Sequence, residues 1–176
     1  MRRTPAKQYT GDDLMNYAVR LLSGRAMTVA EVRKKLDARA TDPTEVPGII
    51  TRLTEARLLS DERFAESFTA ARRDLRLFGQ QRVQRELAQR QVPKAVAETA
   101  IRSAYEEVDE ASLALEFLQR KIRVPDPAKY FQDPKHLQSA FRKLRYAGFS
   151  GTASIKALRN YSTYAEELEE LPEDEE

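Results

Sequence analysis

RELAQRQVPKAVAETAI, residues Arg85–Ile101, and RKLRYAGFSGTASIKAL, residues Arg142–Leu158, repeat one pattern at an offset of 57 positions. Leu87 falls on Leu144, Val92 on Phe149 and Ile101 on Leu158. Lys34–Leu53 fits the same frame more loosely, with a connection about three residues longer. A recurrence on this scale marks a repeat architecture, in which each unit is too small to bury a core alone and shares one with its neighbours.

Outward from this frame, apolar residues recur at helical rather than strand spacing. Leu14, Tyr17, Leu21 and Leu22 mark a first helix, ended by Ser23-Gly24. Thr28-Val-Ala-Glu31 is a capping box, with the hydroxyl and the carboxylate each satisfying the other residue's free amide. It opens a second helix with Val29, Val32 and Leu36 inward, and a third carries Val46, Ile49, Ile50 and Leu53. Ser60-Asp61-Glu62 starts a fourth with Phe64, Phe68, Ala71 and Leu75 on one face, and Gly79 breaks it. Val83 and Leu87 carry the fifth; Pro93 opens the sixth, with Ala97, Ile101 and Tyr105. Ala111, Leu115 and Leu118 mark a seventh, followed by a proline-bearing loop (Pro125, Pro127). Asp133-Pro134 begins the eighth and Ser150 the ninth.

The reading is therefore all-α: an elongated, curved array of three tandem three-helix repeats, nine helices in all. The expected boundaries are an N-terminal arm at 1–10, repeats at 11–58, 59–107 and 108–161, and an acidic, disordered tail at 162–176. A monomer is expected, since every apolar stripe has a use within the chain.

Charge is unevenly placed. Thirty Lys and Arg face 28 Asp and Glu, but eight of the acids lie in residues 166–176. The remaining 165 residues carry 30 basic side chains against 20 acidic ones, a surplus of ten that points to a polyanionic partner. Within 120–159 ten cations meet only Asp126 and Asp133. The acidic end could fold over this basic body and compete with its partner.

Catalytic chemistry is scarce. There is no cysteine, His136 is the only histidine, and the six glycines form no phosphate-binding loop. Neither an enzyme activity, nor a metal, nor any other cofactor is expected. The first residues lack the apolar run of a secretory signal, and no stretch approaches the about 20 apolar residues of a membrane helix, so the chain reads as soluble and cytoplasmic.

Arginine clusters carry the site reading, because a guanidinium holds phosphate or carboxylate with two parallel hydrogen bonds. Arg72, Arg73 and Arg76 lie away from the Phe64/Phe68/Leu75 stripe, with Thr69 among them; Arg82 and Arg85 follow Gly79. Lys135, Gln138, Arg142 and Arg145 run along one flank of the eighth helix, and Lys143 joins them. Phe64, Phe68, Phe141 and Phe149 read as core, whereas Tyr130 and Phe131 beside Lys129 are free to meet a partner.

Four stretches in order resemble the RecX family of regulators of the RecA recombinase: LLSGRAMTVAEVRKKL (Leu21–Leu36), LTEARLLSDERFAESFTAARR (Leu53–Arg73), FGQQRVQRELAQRQV (Phe78–Val92) and FRKLRYAGFSGTASIKAL (Phe141–Leu158). Arg57 stands where the family often has glycine, Ala147-Gly148 replaces its usual Arg-Gly, and the acidic end is not general to it. The resemblance implies a non-enzymatic protein that binds the RecA–single-stranded-DNA filament in its groove. It further implies inhibition of RecA ATPase, recombinase and coprotease activities, and a role in DNA repair, homologous recombination and the SOS response. The basic contacts would be Arg72, Arg73, Arg76, Arg82, Arg85, Lys135, Arg142, Lys143 and Arg145, with weak binding to bare DNA. The competing reading is an autonomous helix-turn-helix-like DNA-binding protein.

Overall fold

Apolar residues at intervals of three and four become helices throughout the computed structural model, which describes residues 7–170. The α-helices are α1 (Gly11–Gly24), α2 (Val29–Asp37), α3 (Val46–Glu55), α4 (Asp61–Arg76), α5 (Gln80–Gln89), α6 (Lys94–Tyr105), α7 (Glu110–Lys121), α8 (Pro127–Tyr130), α9 (Pro134–Tyr146) and α10 (Gly151–Leu158). Two 3-10 segments, Pro43–Glu45 and Thr163–Glu170, complete the described residues. Ten α-helices form where nine were expected. The additional one is the single turn α8 in the proline-bearing loop, nucleated by Asp126, whose carboxylate accepts the Lys129 N–H at 3.0 Å.

Two compact units are present: residues up to Ser67 with Leu87–Ala100, and Phe68–Glu86 with the residues from Ile101 onward. In the first, Leu14, Val32, Leu36, Val46 and Leu53 are fully buried. The Thr28 capping box forms: the Thr28 hydroxyl accepts from the Glu31 N–H at 3.1 Å, and the Glu31 carboxylate accepts from the Thr28 N–H at 3.3 Å. Asp61, the first residue of α4, turns away from its own helix and accepts the Val29 N–H at 2.9 Å, capping α2 across 32 positions of sequence. Thr28 donates to the Arg90 carbonyl at 2.9 Å and Glu31 pairs with Arg90 at 2.8 Å. An isolated parallel bridge ties Tyr9 to Ala40, so the expected N-terminal arm is held at its last described residues.

The second unit buries Phe117, Leu118, Phe131, Leu137, Leu144, Phe149 and Leu158 around α7, α9 and α10. Phe131, expected to be available to a partner, is 1% exposed, because α8 turns its ring into this core. Leu144 and Phe149 close α9 as Leu87 and Val92 close α5. The later residue's N–H returns to the earlier one's carbonyl at 3.1 Å in both, and Gly148 and Gln91 between them take positive φ. The offset-57 repeat is thus a repeated helix stop.

Two expectations about faces need correction. Leu75 is 74% exposed, so the expected stripe on α4 holds at Phe64, which is buried, and fails at Leu75; Ala65 and Thr69 are buried beside Phe64. The chain past 162 does not begin a disordered tail at once: Ala165 and Leu168 are buried in the core of the second unit. These two apolar residues among the acids suffice to seat the 3-10 segment. Residues 171–176, which hold four of the eight acids of the expected competing tail, lie outside the described residues.

Candidate functional site

The helix α9 exposes a face of residues three, four and seven apart: Lys135, Gln138, Ser139, Arg142, Lys143 and Tyr146. Sequence periodicity places them together, since Leu137, Ala140 and Leu144 must turn inward. Opposite stand Phe117 and Lys121 of α7, and Arg82 of α5 completes an open groove of about 680 Å³. Phe117 and Ala147 form its apolar floor, at 7% and 1% exposure.

Capping groups set the orientation of these helices. Asp133 accepts the Lys135 N–H at 2.8 Å at the start of α9. Ser150 starts α10 by accepting the Ala153 N–H at 3.1 Å. The Glu110 carboxylate of α7 accepts the Ser150 N–H at 2.9 Å and its hydroxyl at 2.7 Å, locking the start of α10 to that of α7. Gly79 donates to the Ala147 carbonyl at 2.9 Å and Gln81 to the Gly148 carbonyl at 3.2 Å, which brings the start of α5 against the end of α9.

Five cations line the groove (Arg82, Lys121, Lys135, Arg142 and Lys143), and no carboxylate among the described residues does. Among the described residues, Lys135, Arg142 and Lys143 have no ion-pair partner. Arg82 lies 3.8 Å from the Phe78 ring centre and 5.1 Å from that of Tyr146, while its Nε donates to Glu86 at 3.0 Å. Burial pushes the Glu86 carboxyl up, but the hydrogen bonds from Arg82 and Arg72 outweigh it and hold the group below its ordinary range. The arrangement can attract and orient an extended anion. Its described lining includes the Ser139 hydroxyl but no histidine or carboxylate to serve as a base beside it.

The basic residues singled out in the sequence separate into groups. Arg82, Lys135, Arg142 and Lys143 meet in the groove. Arg76 and Arg85 are exposed outside its lining. Arg72 is half-buried, paired with Glu86 at 2.5 Å and resting 4.4 Å from the Phe68 ring. Arg73 reaches the Ala104 carbonyl and pairs with Asp74 at 2.6 Å. Arg145 donates to the Phe149 carbonyl at 2.8 Å, bracing the turn after α9. His136 stacks on Tyr130 at 3.9 Å with an interplanar angle of 4° and does not line the groove. Phe117, Lys121, Ser139, Tyr146 and Ala147 line the groove without having been among the expected contacts, although Tyr146 reads from the sequence as an aromatic not committed to the core. Lys121 was legible as part of the 120–159 surplus, but its position depends on how α7 meets α9.

Among groups that could hold a metal, no cluster of three or more His, Asp or Glu occurs among the described residues. No helix among them is long and apolar enough to cross a membrane.

Comparison with known proteins gives a consistent picture. Residues 15–53 match the profile of the first three-helix domain of RecX, and residues 60–101 that of the second. Regulatory protein RecX of Mannheimia succiniciproducens is 33% identical over 135 residues, 76% of this chain and 84% of that one. Its counterpart in Pseudomonas entomophila is 33% identical over 133 residues, 76% of this chain and 81% of the relative. That of Trichlorobacter lovleyi is 34% identical over 110 residues, 62% of this chain and 71% of the relative. In fold, the crystal structure of RecX from Lactobacillus salivarius superposes with a TM-score of 0.70 at 18% identity, covering 85% of this chain and 95% of that one. With two of the family's helix triplets matched in order, and one position in three shared with relatives it spans by more than four-fifths, the chain belongs to the RecX family of regulatory proteins, which are not enzymes.

Proposed function

We propose that this protein binds the filament that a RecA recombinase forms on single-stranded DNA, lodges in the filament's groove, and lowers its ATPase, recombinase and coprotease activities. Family membership supports the class of partner. The observation that carries the reading is the groove along α9, where among the described residues five cations and no carboxylate form the lining, with Lys135, Arg142 and Lys143 exposed. A nucleoprotein filament presents phosphates and acidic side chains along its length, and such a row of cations complements both. Arg82, Lys135, Arg142 and Lys143 make the principal contacts, and Arg76 and Arg85 add exposed charge. Arg72, Arg73 and Arg145 act mainly by holding their helices.

Inhibition follows if the bound protein prefers a filament state less able to hydrolyse ATP or pair strands, since a ligand shifts an equilibrium only through its different affinity for the two states. The test is RecA-dependent ATP hydrolysis on single-stranded DNA, titrated from sub-stoichiometric to equimolar protein. Hydrolysis should fall, and binding should favour RecA-coated DNA over bare duplex. Unchanged hydrolysis, with tighter binding to bare duplex, would instead identify an autonomous duplex binder.

A further inference from the structure

Along α9 the exposed cations end at an aromatic ring. From Lys135 to Tyr146 is eleven residues, about 16 Å of helix, longer than one triphosphate group and suited to successive phosphates of a strand. Tyr146 is 74% exposed although it borders an apolar floor, so its ring is not being used for packing. Arg82 lies over one face of that ring, 5.1 Å from its centre, and Phe78 backs the same guanidinium at 3.8 Å. The ring is thereby held from one side and open on the other.

We infer that the α9 groove is a single-stranded nucleic-acid site, in which Lys135, Arg142, Lys143 and Lys121 hold successive phosphates and one base stacks on the open face of Tyr146. This inference rests on the filament-binding reading and assigns the strand, rather than the acidic protein surface, to this groove. The ring decides between the two polyanions: a base has a flat face that gains from stacking, whereas Glu and Asp side chains have none. The groove's volume, about 680 Å³, is that of a pocket for small groups and suits a nucleotide or two of a strand. A rigid duplex keeps its bases stacked on each other and cannot place one on Tyr146.

The chain has no tryptophan, so Tyr146→Trp in the full-length protein introduces a sole indole reporter at the stacking position. Its emission should fall saturably with oligothymidylate, and the midpoint should rise with salt. Adding Lys135→Glu with Arg142→Glu should weaken that binding at least about tenfold. A strand of abasic residues, the corresponding duplex and polyglutamate should each leave the emission unchanged. Quenching by the abasic strand or the duplex to the same extent, tighter binding of polyglutamate than of the strand, or no quenching by oligothymidylate would each overturn the inference.

A second series does not depend on the indole. By anisotropy of a labelled oligothymidylate, Tyr146→Phe should bind within about twofold of the unaltered protein and Tyr146→Ser about tenfold more weakly; equal affinities for the two would overturn the stacking role. Failure of the parent reading looks different. If the unaltered protein inhibits RecA ATPase but no strand stacks on residue 146, only this inference falls. If the strand stacks and the ATPase is untouched, the filament reading falls and the site stands.

Discussion

Gly79 and Gly148 meet backbone to backbone. A Cβ on Gly79 would collide with the Gly148 carbonyl, and one on Gly148, at φ +92°, would collide with the Arg82 backbone. The Gly79 N–H donates to the Ala147 carbonyl at 2.9 Å, so the start of α5 is fastened to the end of α9 without an intervening side chain. The same contact sets Arg82 beside Tyr146, and thereby one wall of the groove.

Gly148→Ala should therefore destabilise the protein by at least about 2 kcal/mol, from left-handed strain and the backbone collision together. Gly79→Ala should cost a comparable amount through the collision alone. Gly24→Ala, where an added Cβ meets nothing within 4 Å, should be neutral or stabilising by about 0.5–1 kcal/mol. Urea denaturation midpoints of the three variants check this ordering.

Removing Glu86 should loosen two arginines at once. Glu86→Gln should cost about 1 kcal/mol, since Glu86 pairs with Arg72 at 2.5 Å and Arg82 at 3.0 Å at a partly exposed position. Its folded carboxyl lies below its ordinary value of 4.5, so its stabilising contribution is complete above that pH and is lost as pH falls through the folded value. Thermal melts from pH 7 to pH 3 should show the gap between the two proteins closing at the acid end.

Asp61 should respond with the opposite sign. Burial, reinforced by the Glu62 and Glu31 carboxylates and opposed by the Val29 N–H, raises its carboxyl above the ordinary 3.8. Stability from this group is greatest below that value and declines as pH rises through the folded one. Asp61→Asn keeps an oxygen for the Val29 N–H and sheds the buried charge, so it should match or exceed the unaltered protein at pH 7 and lose any advantage below about pH 4. Asp61→Ala should cost about 1 kcal/mol by uncapping α2. Melting temperatures across that pH range check both.

Reversing the groove should separate function from folding. Lys135→Glu with Arg142→Glu should abolish inhibition of RecA ATPase while helicity by circular dichroism is unchanged, because both side chains are exposed. On single-stranded DNA the slope of log affinity against log salt should become shallower by about 1.4, for two lost phosphate contacts. Arg72→Glu with Arg76→Glu should instead lower stability, because it sets a second carboxylate against Glu86.

The 3-10 segment should prove structural. Leu168→Ala should cost about 2–3 kcal/mol, as expected for a buried leucine that is 4% exposed. A truncation that removes residues 166–176 would carry the same loss, so its effect on binding must be read against a melting curve.

What was legible from the sequence was local or periodic. The Thr28 capping box needs only residues three apart, and the repeated helix stop at Leu87–Val92 and Leu144–Phe149 needs only self-comparison. What was not legible depends on which neighbour a face meets. Periodicity put Arg72 and Arg73 opposite Phe64 and Phe68, but it could not show that Glu86 and the Ala104 carbonyl would claim them. Nor could it show that the exposed residue would be Leu75 while Ala65 and Thr69 packed. Lys121 joined the site because α7 lies against α9, and Asp61 crossed to another helix for a free amide 32 positions away.

The stack of His136 on Tyr130 supplies a spectroscopic handle. As the chain's sole imidazole, His136 gives a Cε1–H proton signal without isotopic enrichment, and the neighbouring phenol ring displaces it upfield through its ring current. Because His136 follows directly on Lys135, that one resonance reports when the start of α9 takes up a ligand or when the turn at Pro127–Tyr130 comes apart.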